Sequence, residues 1–347
     1  MSKKRKILTA VLSSVLVIAL ICFLAVYFLF LHRYRGSNVV DPWNETDAFS
    51  ISEIATVEKE KGKPFVILNL ADVQLCDLED IFNLNETRDR IADLIEKAQP
   101  DLITLTGDQT WSNENLISLK SLISWLDGFK VPYAPVFGNH DCGNEKDSAV
   151  LSRAACCDLY EKGKYSLFKR GPSNLGSLGN YVVNVTEDGK IVKTLYFLDS
   201  GEEDMISDAQ IEWLKWNAEG IRASRGGEYA ESICFLHKPI PEYADAYRLY
   251  RQGNGSVEAV GDVYVTYSLY GSEQNGFFEA AKSVGVTDIV CGHQHGNNFT
   301  LKYEGVRLTF ALKTGKLGGY YSGDDITLDG ATCIEFDGDK THIYSIF

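Results

Sequence analysis

No Cys-x-x-Cys pair occurs in this chain, although it holds eight cysteines. That excludes a zinc knuckle or ribbon built on such pairs. Histidine is scarce, with six residues in 347, so the places where they fall carry information. Positive charge is short as well, with 34 Lys and Arg against 48 Asp and Glu. Six of the basic residues, Lys3, Lys4, Arg5, Lys6, Arg33 and Arg35, lie within 1–35, which has no acidic residue. The rest of the chain keeps 28 against 48, a net −20. So acidic a body argues against nonspecific nucleic-acid binding. An anionic substrate would need a local source of positive charge, most simply metal ions.

Charge is missing altogether from residues 7–31, which are apolar apart from Thr9, Ser13 and Ser14. These 25 residues can cross a bilayer with some tilt. They exceed the h-region of a secretory signal, and no small-x-small cleavage site follows, so the segment reads as a retained signal anchor. Four basic residues precede the span and two follow it, which predicts a cytoplasmic N-terminus and an extracytoplasmic body at a cell membrane. The chain then divides into a tail and transmembrane anchor (1–36), a polar stalk (37–62) and a folded domain (63–347). Cys22 lies in the span, and the other seven cysteines cannot all pair internally. Asn44, Asn85, Asn184, Asn254 and Asn298 head Asn-x-Ser/Thr sequons, which matter in a glycosylating host.

Short apolar, β-branched runs predict strands at 66–70, 102–105, 134–137, 194–198, 233–236, 288–291, 299–303, 306–312, 331–336 and 343–347. Helical patterns cover 87–97, 116–126, 148–160 and 208–223. Alternation early and strand-richness late predict a layered α/β fold with strands in two sheets.

Ligands of open α/β sheets collect beyond the carboxyl ends of the strands. There this sequence places Asp72-Val73-Gln74, then Gly107-Asp108-Gln109, then Gly138-Asn139-His140-Asp141, then His237, then Gly292-His293-Gln294-His295. Singly, each has a bland reading as turn chemistry or a satisfied core histidine. Jointly that reading is poor, because four of the six histidines fall at these ends. His293 and His295 alternate, so an extended segment points them the same way. Oxygen and nitrogen ligands without cysteine suit hard or borderline divalent ions: Mn, Mg, Fe or Zn.

The constellation resembles the calcineurin-like metallophosphoesterase family, whose pattern D-x-H, G-D, G-N-H-D/E, H, G-H-x-H appears here in order over residues 64–347. The segments Leu198-Asp199-Ser200-Gly201, Gln210-Ile211-Glu212-Trp213, His237-Lys238-Pro239-Ile240-Pro241-Glu242-Tyr243 and Gly315-Lys316-Leu317-Gly318-Gly319-Tyr320 resemble its purple-acid-phosphatase-like branch. The resemblance implies a four-layer fold, a two-sheet β-sandwich flanked by helices, behind the one N-terminal transmembrane helix. It also implies two divalent metal ions bridged by Asp108. Asp72, Gln74 and His295 would complete one site, and Asn139, His237 and His293 the other. His140 would act on the phosphate or the leaving oxygen, with Asp141 orienting it. The activity implied is hydrolysis of phosphate mono- or diesters by a bridging hydroxide.

Two departures stand out. Gln74 replaces the family's first His; its amide oxygen is a harder, weaker donor, which favours Mn or Mg over Zn. Trp111 stands where purple acid phosphatases carry a Tyr ligand, so no iron–tyrosinate colour is expected. Residues 142–236, between the third and fourth motifs, are expected to shape the substrate mouth. A catalytically weak, metal-binding ectodomain that recognises a phosphorylated ligand is the alternative, and a structural wall protein without bound metal is a third reading.

Overall fold

The computed structural model describes every residue except 1, 29–31, 38–40, 77–85, 112–114, 143–149, 202–204, 267–268, 270–274, 316–328 and 339. The expected features at Asn85, at 148–149 and at 316–320 lie outside the described residues. Helix α1 (Lys3–Val26) has all its residues exposed and is long and apolar enough to cross a membrane. At about 1.5 Å per residue it matches a hydrocarbon core of about 30 Å.

In chain order the rest runs β1 (Ala55–Glu58), β2 (Phe65–Leu70), α2 (Glu86–Ala98), β3 (Leu102–Thr106), α3 (Leu116–Phe129), β4 (Tyr133–Val136) and α4 (Arg153–Tyr160). Then come β5 (Tyr181–Glu187), β6 (Lys190–Phe197), α5 (Asp208–Ser224), β7 (Ser232–Phe235) and α6 (Glu242–Arg251). The chain ends with β8 (Val257–Ala259), β9 (Tyr264–Val265), α7 (Phe277–Ser283), β10 (Val286–Cys291), β11 (Asn297–Tyr303), β12 (Val306–Phe310), β13 (Ala331–Asp337) and β14 (Lys340–Ile346).

Two sheets form. One has nine strands in the order β1-β5-β6-β7-β10-β12-β11-β8, with β9 also paired to β11; the other has five, β14-β13-β2-β3-β4. The strands that end in motif residues are parallel where they adjoin: β2 with β3, β3 with β4, and β7 with β10. Their carboxyl ends therefore open on one edge of each sheet.

Strand alternation sorts side chains between two cores. Tyr181, Val183, Leu195, Phe197, Ile233, Phe235 and Val290 point into the core shared with the five-stranded sheet. Their neighbours Val182, Tyr196, Leu198, Cys234, Leu236, Ile289 and Cys291 join the core beneath α5, α6 and α7. Tyr181, Phe197 and Phe235 stack across three strands at ring separations of 4.7 and 5.0 Å. Such stacking contributes about 0.5–1.5 kcal/mol per pair beyond area burial.

Two expectations are corrected. The segment 37–62 is not a free stalk. Its Ala55–Glu58 pairs in parallel with β5 as an edge strand, and Trp43 and Phe49 pack on Trp216 of α5. The helix expected at 148–160 begins at Arg153, because Ser152 is extended and its Oγ caps the Ala155 N–H. Within residues 142–236, where the sequence predicts helices at 148–160 and 208–223 and strands at 194–198 and 233–236, the chain also forms β5. Asn184 is fully buried inside β5, where it accepts a hydrogen bond from Thr194, so no glycan can reach it.

Helix α5 opens on a capping box, Ser207 with Gln210. Gln210 also reaches Asn180 and the Asp199 carbonyl, at 2.6 and 2.8 Å. Ser207→Ala is expected to lower stability by about 1 kcal/mol, read as a shift of the denaturant midpoint without a change in slope.

Candidate metal centre

The loops leaving β2, β3 and β10 hold their polar residues in strained backbone. Asp72, Gln74, Asp108 and His293 have φ of 51, 52, 52 and 74°. Non-glycine residues in this left-handed region cost about 1–3 kcal/mol each and persist only where the surroundings over-determine them. Two glycines make the approach possible. A Cβ at Gly107 would collide with the His237 ring, and one at Gly138 with the Asp108 carboxylate.

Asp108 is the centre. Its Oδ1 lies 3.4 Å from His237 Nε2 and accepts the His140 N–H at 2.9 Å. On one side, His237 Nε2 also sits 3.0 Å from Asn139 Oδ1 and 3.2 Å from His293 Nδ1. His237 Nδ1 donates to the Thr106 carbonyl at 2.9 Å, which turns the Nε2 lone pair inward. On the other side, Asp72 Oδ1 is 3.3 Å from His295 Nε2, and Gln74 Nε2 is 3.2 Å from the same nitrogen. Asp108, His237 and His293 form one group with ligand atoms within 4.8 Å of one another; Asp72, Asp108 and His295 form another. All seven expected ligands thus converge, and the two groups share Asp108.

The donor set fits cations. Acceptor atoms crowd around the inward Nε2 of His237. Gln74 Oε1 is buried with no hydrogen-bond partner among the described residues. An orphaned buried acceptor costs about 1–3 kcal/mol, and a hard cation would satisfy it.

Charge follows the geometry. Burial disfavours protonated His237, but the Asp108 carboxylate outweighs it and carries the ring up to about 10. Burial and the neighbouring His237 hold His293 down at about 3. Burial works against ionised Asp108, yet His237 and His140 draw it well below the usual carboxylate range.

Asp141 is a correction. It was expected to orient His140, yet its two oxygens accept the Gly138 and Thr110 N–H groups at 2.8 and 2.9 Å. It shapes the loop rather than the imidazole. Burial and the charge of Asp108 push it up to about 7 against those two donors. The His140 ring packs against the Trp111 ring instead, 4.6 Å between centroids and tilted by 31°, with Nε2 4.0 Å from Asp108 Oδ2. The Thr106 carbonyl and the Trp111 ring are contributions that motif spacing did not reveal; a carbonyl has no sequence signal at all.

Seven oxygen and nitrogen donors at the carboxyl strand ends of two sheets, divided about one shared carboxylate, define a layered α/β protein with a candidate two-metal centre. The sequence agrees: residues 65–297 match the calcineurin-like phosphoesterase model, and the chain belongs to that family. Phosphatase DCR2 of Saccharomyces cerevisiae is 26% identical over 303 residues, covering 78% of this chain and 49% of the relative. This chain therefore spans about half the length of that protein. "Probable inactive purple acid phosphatase 28" of Arabidopsis thaliana is 24% identical, covering 78% of this chain and 72% of the relative. A solved dimetal phosphatase from Danio rerio superposes with a TM-score of 0.48 at 13% identity, over 81% of this chain and 95% of the other.

Proposed function

We propose that this chain is a phosphoesterase, anchored through α1 with its domain outside the membrane, that hydrolyses phosphate mono- or diesters. The observation that carries the reading is the convergence of seven polar donors about Asp108, with His140 at the rim and its side chain 30% exposed. Asp72, Gln74, His295 and Asp108 would hold one divalent ion, and Asn139, His237, His293 and Asp108 the other. Bound there, with Mn favoured by the hard oxygen donors, the ions would supply Lewis acidity and neutralise charge developing on the phosphoryl group.

The chain's own residues do the rest. The Thr106 carbonyl fixes the His237 tautomer. Asp141 fixes the loop that carries Asn139 and His140. Trp111 holds the His140 ring where its Nε2 can donate to a phosphate oxygen or protonate the leaving oxygen.

The names of two Arabidopsis relatives contain "probable inactive", which favours a second reading, a phosphate-binding ectodomain without turnover. One experiment separates the two. The full chain in detergent is assayed for bound metal and for hydrolysis of p-nitrophenyl phosphate and its bis ester, with and without Mn. Two ions and Mn-dependent turnover are expected; metal without turnover leaves the binding module, and no metal removes both readings. Gln74→Ala is expected to hold the first ion about 10–100-fold more weakly, seen as one ion lost on mild chelation.

A further inference from the structure

We propose that a cavity between α5 and residues 41–54, walled by Trp43, Phe49 and Trp216, binds an organic ammonium ion, a quaternary or alkylated amine. None of its lining residues belongs to the metal centre, so the proposal stands apart from the esterase reading.

The cavity has a volume of about 340 Å³, within the range of small-ligand sites. Two stretches remote in sequence close it, the segment leading into β1 and the middle of α5. Trp216 stands between the other two rings, 6.0 Å from Trp43 at 67° and 5.3 Å from Phe49 at 71°. Rings that meet edge to face make a corner rather than a stack, which leaves ring faces uncovered. All three stay half-buried, where a closed aromatic core would bury them. The walls are held by the fold itself. The Trp43 backbone exchanges two hydrogen bonds with the Asn174 side chain, at 2.9 and 2.8 Å. Phe49 lies against Gly220, where a Cβ would collide with its ring. A site built before its ligand arrives loses less to ordering on binding.

Charge selects the ligand's sign. Asp41, Asp47 and Glu53 line the cavity against one ammonium, that of Lys169. Asp47 accepts the Asn44 N–H at 2.8 Å and so closes a turn. The Asp41 and Glu53 carboxylates make no ion pair or hydrogen bond among the described residues. A cation gains from these carboxylates and from the ring faces together, and an anion gains from neither.

The walls then select the kind of cation. A hard metal ion takes oxygen ligands, and indole and phenyl rings offer none. An ammonium that carries carbon substituents is weakly hydrated, sits over ring faces, and buries its apolar groups against the same walls. Choline and its neutral isostere 3,3-dimethylbutan-1-ol share a shape and differ in one nitrogen for one carbon, so the pair separates charge from fit.

The test uses the full chain, loaded with Mn, in a maltoside detergent whose headgroup carries no ammonium. By calorimetry, choline is expected to bind about tenfold or more tightly than the isostere, and to weaken as KCl rises. Asp41→Asn combined with Glu53→Gln should weaken choline about tenfold and leave the isostere within about twofold. Trp216→Leu should weaken choline about tenfold as well. Should its denaturation midpoint show that residues 41–54 have loosened, the carboxylate variant decides, because it removes no packing. Asp108→Ala should bind choline as wild type does, which separates this cavity from the metal centre. Absent choline binding, equal binding of choline and isostere, an unchanged carboxylate variant, or loss in Asp108→Ala would overturn the proposal. Reconstitution names the source of the ammonium group. Free choline that binds in phosphatidylglycerol vesicles but not in phosphatidylcholine vesicles supports a lipid headgroup as the ligand, and binding in both supports a soluble amine.

Discussion

Asp108→Ala is expected to abolish phosphoester hydrolysis, with a fall of about a thousandfold or more, and to leave at most one tightly held ion per chain. Asp108 belongs to both ligand groups. A carboxylate can give one oxygen to each of two ions; no neutral side chain at this position can. The same carboxylate accepts the His140 N–H at 2.9 Å, so its loss also frees the loop that carries His140. Alanine keeps a Cβ at φ 52° and adds about 1 kcal/mol of backbone cost there, far less than a global unfolding requires, so a collapse of the fold is not expected. Metal analysis, steady-state rates and the denaturation midpoint should therefore separate. Metal and rate fall together while the midpoint of the metal-free chain moves by far less than a global unfolding would require. A variant that kept two ions and its turnover would remove Asp108 from the bridging position.

The site was more legible than the scaffold, for a physical reason. Metal chemistry restricts residue types, and parallel strands deliver them at their carboxyl ends, so Asp72, Asp108, Asn139, His237 and His293 announce themselves after apolar runs. The elements that the sequence did not reveal lack that constraint. Strand β5 carries a buried polar residue, Asn184, in its middle, whose Oδ1 accepts from Thr194 across the sheet. Strand β1 has four residues with one buried side chain, and nothing local says that it will pair with β5. Helix α6 buries only Tyr243 and Ala246 and starts at Pro241 without a side-chain cap, so its pattern is weak. Asp141 misled because a carboxylate beside a histidine in sequence implies a pair. Yet the strained turn sends its oxygens to backbone N–H groups, which are invisible in a residue string.

Loading the ion held by His237 is expected to release one proton from that ring, and its affinity should rise about tenfold per pH unit between about pH 7 and 9. The Asp108 carboxylate, working against burial, holds metal-free His237 protonated up to about 10. A ligand nitrogen must be neutral, so the ring gives up its proton when the ion enters. His293 contributes none, because burial and His237 keep it neutral down to about 3. Asp141, pushed up to about 7, adds a fraction of a proton near neutrality and none at about pH 8.5, which makes the higher pH the cleaner condition. Calorimetric titration with Mn in two buffers of different ionisation heat gives the proton count directly. His237→Gln, which offers an amide oxygen and no titrating ring, should release none and lose the pH slope. The metal-free chain carries the matching signature in stability. A raised imidazole pKa contributes stability that is fully present below its unfolded value of about 6.5 and lost as pH climbs toward 10. The apo protein should therefore weaken across that interval while the Mn-loaded protein, whose His237 is already neutral, does not. Zero proton release at pH 8.5 would mean that His237 is not a ligand, and the ion on that side would have to be held by Asp108, Asn139 and His293 alone.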